Sequence, residues 1–318
     1  MGAAAHIVVV DGRSELVADA IARVEQLEAR WSRFRSTSEL SAINAAAGAP
    51  VVVSPETLDV VDRALVARDM TRGWFDPTLL NSLLEFGYDR SYDDLDSLPT
   101  PLAPLAPLAP AARRPTRGPV LARARAASVG SDVVVDRVVG AVRVAPGVGL
   151  DLGGIGKGRA ADLIASELSL GARGVLVNLG GDLRAAGAAP TPAGWVVAMD
   201  PVFGHSPGRV AFGAGAVATS SQLTRRWRRD GCAVHHLLDS HTGEPAVSDV
   251  AVCTVIAGEA ERAEVIAKAA LTAGSTLGAA LIGDLDVAAQ FVLMDGSIER
   301  FGGFDRFVLA DSSARMAA

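Results

Sequence analysis

Cysteine is nearly absent: Cys232 and Cys253 are the only two in 318 residues. No disulfide framework can be built from them, so the fold has to rest on an apolar core with reduced thiols. Positive charge is also short. Lys and Arg number 30 against 36 Asp and Glu, a formal net charge of −6, and no basic tract is long enough to neutralise a run of nucleic-acid phosphates. Nucleic acid is therefore excluded as an expected partner, and any anionic ligand needs locally gathered cations. Long apolar runs are missing as well: no window approaches the roughly 20 apolar residues of a spanning helix. The opening MGAAAHIVVVDG has no basic segment followed by an apolar core of the kind that directs export. These absences together lead to the expectation of a soluble, cytoplasmic chain without membrane insertion.

Apolar residues make up 49% of the chain, ample for a core. After a strand expected at His6–Val10, Leu16, Ala20, Leu27 and Trp31 recur at helical spacing. Ser36, three residues before Glu39, has the pattern of a capping box opening a second, short helix. Ser54-Pro55 opens a third, with Leu58, Val61 and Leu65 on one face and Gly73 as its stop. From Leu98 to Pro119 a proline-alanine-leucine repeat can sustain neither a helix nor a central strand, and reads as a disordered or extended insertion. Beyond it, strand-like runs alternate with only two helical patterns, near Lys157–Leu170 and Glu259–Thr272. So few helices between strands argue against a doubly wound parallel sheet and for an α+β fold with an antiparallel-rich sheet.

The stretch DLGGIGKGRAAD, 151–162, has the look of a phosphate loop. It is not a Walker A motif: Asp151 occupies the first glycine position and Gly158, not Ser or Thr, follows Lys157. Nor does a correctly placed acidic residue complete a dinucleotide fingerprint. Close-approach glycines, a helix start and one lysine still favour an anion over bare packing. A strand-to-helix turn with a solvated lysine is the alternative that this segment alone leaves open.

Five segments then occur in order: RFRSTSELSAIN (33–44), GWFDPTLLNSL (73–83), LDLGGIGKGRAAD (150–162), VNLGGDLRAAG (177–187), and ATSSQLTRRW with HHLLDSHTGEP (218–245). The set resembles the FAD:protein FMN transferases, the ApbE-type flavin transferases, over almost all of the chain except the proline-rich insertion. The resemblance implies a T-fold-like α+β architecture, two-lobed, forming one catalytic unit over 1–318. It also implies an activity: breaking the FAD pyrophosphate, attaching FMN to a threonine of an acceptor flavoprotein, and releasing AMP. By the same resemblance Met1, Phe34, Trp74, Phe75, Asp76, Asp151, Gly156, Lys157 and Leu237 fall at FAD-contacting positions. Lys157 is then a pyrophosphate clamp and His236 the base for the threonine hydroxyl. His235 is expected on the opposite face of the strand, and a zinc site made from His235, His236 and His241 is disfavoured by that alternation.

One departure stands out. The resemblance implies a Mg²⁺ held by a backbone carbonyl at Gly154 and by side chains of a late helix, where this chain reads AEVIAKAAL, with Glu264, Ala267 and Lys268 at the positions concerned. A protonated lysine cannot ligate a cation. Either Lys268, paired with Glu264, replaces the metal, or the site has lost its chemistry and binds flavin without turning it over. An FAD pyrophosphohydrolase releasing free FMN is a further enzymatic alternative, and an i,i+4 salt bridge on a solvated helix is the plainest reading of the pair.

Overall fold

The structure is a computed structural model, and it describes residues 4–95, 97–103, 132–204, 206 and 208–310. In chain order its elements are β1 (Ala5–Gly12), α1 (Leu16–Trp31), α2 (Glu39–Ala45), β2 (Val51–Val52), α3 (Pro55–Met70), α4 (Leu80–Glu85), β3 (Val133–Asp136), β4 (Ala141–Val144) and α5 (Gly156–Leu168). There follow β5 (Ala172–Leu179), β6 (Asp182–Gly187), β7 (Trp195–Ala198), β8 (Arg209–Phe212), β9 (Gly215–Ser221), β10 (Arg226–Arg229) and β11 (Cys232–His235). The last are β12 (Val250–Ala257), α6 (Ala260–Asp284), β13 (Ala288–Leu293), β14 (Ile298–Phe301) and β15 (Val308–Leu309). Seven strands form one sheet in the order β1-β5-β6-β9-β12-β13-β14, antiparallel at each junction. This is the α+β class that the scarcity of crossover helices implies.

Period-two alternation sorts the sheet into two covered faces. Val175, Val177 and Leu179 of β5 join the cluster built with α1, α3 and α5. Leu176, between them, turns the other way to pack with Trp195, Val210, Phe212 and Phe304 beneath the small β15-β8-β7 sheet. Central β12, VAVCTVIA, is buried for seven of its eight residues, which is why it reads as an unbroken apolar run. A separate β2-β4-β3 sheet joins residues on both sides of the insertion, through Val51 against Val142. Leu98 donates its N–H to Arg226 O; residues 104–119 of the proline-rich insertion lie outside the described residues.

Local signals met mixed outcomes. Ser54 caps α3 by accepting the Thr57 N–H, with Pro55 in the first turn. The Ser36 capping box is corrected: Ser38 is the cap of α2, accepting from Ser41 N–H, and Glu39 instead accepts from Ser54 Oγ at 2.8 Å. The expectation of no long apolar run also needs correction. Helix α6 runs for 25 residues and is apolar enough, by length and composition, to span a bilayer. Val265, Ile266 and Leu271 are instead buried in the core, although Leu277 is exposed, and non-helical Gly274 (φ 82°) breaks the helix.

The start of α5 is pressed against the start of α6. Asp162 reaches across to cap α6, accepting from Ala260 and Glu261 N–H at 2.8 and 2.9 Å. A β-carbon on Gly158 would lie 2.5 Å from Ala260 O and 2.6 Å from Glu261 Cα. That backbone cannot step aside without dragging Glu264 away from the helix it faces. Gly158→Ala is therefore expected to cost about 1–3 kcal/mol, read as a lowered urea midpoint. An unchanged midpoint would show that the two helices part freely.

Candidate active site

A cleft of about 1040 Å³, its open mouth included, lies where the ends of α1, α3 and β11, the start of α5 and the middle of α6 converge. Each element delivers its side chain for a local reason. The i,i+4 spacing of Glu264 and Lys268 places both on one face of α6. In the β10–β11 hairpin Arg226 stands opposite His235, so Arg225 and His236 leave the same end of the ladder together, and both line the cleft. Arg225 takes a left-handed backbone (φ 49°), uncommon outside glycine, at the turn into β10.

One side of the cleft is aromatic and apolar, with Phe34, Trp74, Phe75, Tyr88 and Leu238 on its walls. The Arg33 guanidinium lies over Phe34 at 4.2 Å and over Tyr88 at 4.5 Å, a stacked cation that stiffens this wall. Trp74 is faced by His241 at 4.6 Å, and Ser240 Oγ donates to Gly73 O, tying the turn after β11 to the end of α3.

The floor is polar. Lys157 Nζ contacts Asp182 and lies 3.0 Å from Glu264 Oε1, while Glu264 Oε2 accepts the Gly158 N–H at 2.8 Å. Glu264 is thus committed to the start of α5, and among the described residues it makes no ion pair with Lys268. Asp151 lies 3.5 Å from Arg33 Nε. By contrast, the side chains of Lys268 and Arg225 have neither an ion pair nor a hydrogen bond among the described residues, and both line the cleft. Burial pushes the Lys268 amine below the usual lysine range, with Glu264 and Asp151 pulling it back and Lys157 and Arg225 adding to the depression.

The two neighbouring histidines are in opposite circumstances. His235 is fully buried, its Nε2 donating to Ala246 O at 3.1 Å and its Nδ1 accepting from Leu237 N–H, and burial pushes it down to about 4. His236 lines the cleft. Its Nδ1 is shielded from solvent with no hydrogen-bond partner, and burial, followed by the charges of Arg225 and Lys268, holds it well below the usual histidine range. A neutral imidazole beside cations is a base in its working form.

Other residues named from the sequence divide clearly. Phe34, Trp74, Phe75, Asp76, Asp151, Gly154, Gly156, Lys157, His236 and Lys268 come together on the cleft, although Asp76 also accepts from Thr78 N–H and Oγ at 2.8 and 2.6 Å in a tight turn. Leu237 and Ala267 do not: both side chains are buried in the α6 core, because Leu238 is the alternate that faces the cleft. Met1 lies outside the described residues. Asp182, given no role from the sequence, holds Lys157, delivered by the tight β5–β6 turn at Gly180 and Gly181. Arg225 was missed too, since nothing in TRRW distinguishes it from its neighbours.

A divalent cation does not fit this donor set. Both Glu264 oxygens are engaged, a β-carbon at Gly154 would collide with the Lys268 ammonium, and no group of three His, Cys, Asp or Glu suited to a metal occurs among the described residues.

Comparison with known proteins agrees with this arrangement of segments. A sequence model of the ApbE family matches residues 1–291. The chain belongs to the ApbE family. The FAD:protein FMN transferase of Treponema pallidum (strain Nichols) is 32% identical over 310 residues, spanning 91% of this chain and 80% of that protein. That of Klebsiella pneumoniae (strain 342) is 31% identical over 115 residues, 35% of this chain and 34% of that protein. Among solved structures, the ApbE protein of Thermotoga maritima superposes with a TM-score of 0.79 at 26% identity over 96% of each chain. The flavin transferase ApbE of Vibrio cholerae shares the fold, with a TM-score of 0.76 at 23% identity over 97% of this chain and 96% of that one.

Proposed function

We propose that this ApbE-family chain is an FAD:protein FMN transferase. The observation that carries the reading is the convergence of two unpartnered cations, Arg225 and Lys268, and one neutral histidine, His236, on a cleft with an aromatic wall. A flavin ring suits the wall, and a diphosphate carrying two negative charges suits the floor. The relatives' names supply the reaction class.

In the reaction a threonine hydroxyl of an acceptor flavoprotein attacks the phosphorus of the FMN half. Its proton passes to His236, the bond from that phosphorus to the bridging oxygen breaks, and AMP leaves with the electron pair. Fixed cations stabilise the charge that develops on the departing phosphate. Lys157, already neutralised by two carboxylates, acts here as the brace of the floor rather than as a free clamp.

The test is direct. Purified protein with FAD and a threonine-bearing acceptor peptide is followed for AMP and for peptide mass together. The expected result is AMP release matched by a peptide heavier by one FMN less water. AMP with free FMN and unmodified peptide would identify a pyrophosphohydrolase, and bound flavin without AMP would reduce the protein to a flavin binder.

A further inference from the structure

We propose that Lys268 and Arg225 take the FAD diphosphate directly, as side-chain cations in the place of a divalent metal ion. The proposal rests on the FAD reading above and concerns what neutralises the diphosphate.

Composition supplies the first observation. Lys157 and Lys268 are the only lysines in the 318 residues, every other cationic side chain being arginine or histidine, and both line this cleft. A chain that uses arginine everywhere else places both of its compact ammonium groups on this cleft. Gly154 makes room for the second of them. A β-carbon on that glycine would collide with Lys268 Nζ and lie 2.9 Å from its Cε and 3.0 Å from Phe75 Cε2. The missing side chain is the space that the ammonium occupies.

The two lysines are also wired differently. Lys157 is bracketed by Asp182 and Glu264, whose side chains are only 3% and 5% exposed, and has no charge to spare. Lys268 has no such partner among the described residues, so no carboxylate of the fold has a prior hold on its ammonium. With Arg225 it brings two positive charges to a ligand carrying two negative ones. A divalent cation added to the same floor would meet that pair at close range and find, among the described residues, no carboxylate cluster suited to offset the repulsion. Glu264, the one late-helix carboxylate aimed at this floor, has been turned into the support for Lys157 and the Gly158 amide.

Because only two lysines exist, amine chemistry can read this site in the intact wild-type chain. Metal-free protein is treated with a mild amine-acylating reagent, with and without saturating FAD, riboflavin or inorganic pyrophosphate, and modification of Lys268 is measured by peptide mass. FAD and pyrophosphate are expected to protect Lys268, and riboflavin, which has no phosphate, is not. Mn²⁺ titrated into the wild-type chain with FAD is expected to show no stoichiometric uptake by electron paramagnetic resonance. AMP release is expected to persist in EDTA and to fall by about 100- to 1,000-fold in Lys268→Met, the scale of losing one charge-stabilising group. Unprotected Lys268 under saturating FAD, stoichiometric Mn²⁺ uptake, or AMP release that requires Mg²⁺ each overturns the proposal. FAD that protects Lys268 while no AMP forms under any condition overturns the transferase reading instead, and leaves the diphosphate site standing.

Discussion

Lys157→Met is expected to lower the stability of the folded chain by about 3–5 kcal/mol at neutral pH, the cost of stripping the partner from a buried ion pair. Lys157 is only 14% exposed, and the two carboxylates it joins are nearly inaccessible. In the variant Asp182 and Glu264 face each other across a methionine, and water cannot replace the lost ammonium. The loss has a structural route as well. Glu264 accepts the Gly158 N–H, and Gly158 is the point at which α5 touches the first turn of α6, so a repelled Glu264 loosens the junction of the two helices beneath the cleft. Urea unfolding of wild type and variant reads the difference. The double variant Lys157→Met with Glu264→Gln is expected to recover part of it, because the remaining carboxylate is then alone and the amide can still accept from Gly158. A Lys157→Met midpoint equal to wild type would show that the triad contributes no net stability, and that Lys157 is free to serve a ligand.

The same residues show what the sequence makes legible and what it hides. Features that depend on spacing along one element were readable: the glycine loop running into α5, the alternation that sends His235 inward and His236 to the cleft, and the shared face of Glu264 and Lys268 on α6. Features that depend on which distant element arrives opposite were not. The choice of Lys157 over Lys268 as the partner of Glu264 is made by the packing of α5 against α6, which no i,i+4 rule encodes. Asp182 reaches Lys157 because β6 lies beneath α5 in the sheet. Asp162, inside the most conspicuous motif of the chain, is spent on capping α6 rather than on a ligand. Arg225 becomes a cleft residue only through a left-handed turn that a non-glycine sequence does not announce. The miss at Ser36 is of a smaller kind, a second serine two residues on offering the hydroxyl that caps the helix.

His236→Ala is expected to slow AMP release from FAD by about 10²–10⁴-fold, the usual worth of a positioned general base, while FAD affinity changes little. The split between rate and binding follows from charge. A neutral imidazole adds nothing to diphosphate attraction, which Arg225 and Lys268 supply, but with its Nδ1 unpartnered it is ready to accept a proton without first giving one up. The pH dependence has a definite sign. Burial and the neighbouring charges of Arg225, Lys268 and Lys157 hold the ring below its ordinary 6.5, so it is already unprotonated at pH 6.5 and gains a proton only on further acidification. The acid limb of kcat/KM for AMP release therefore lies below pH 6.5, and it disappears in His236→Ala, whose residual rate no longer depends on this ring. An acid limb at or above pH 6.5 would mean that the cations do not act on His236 as the geometry requires. A variant that lost FAD binding and rate in equal measure would assign the histidine to holding the flavin instead of moving the proton. His235, held by hydrogen bonds at both ring nitrogens and down to about 4, is still present in His236→Ala, so loss of the limb in that variant assigns it to His236.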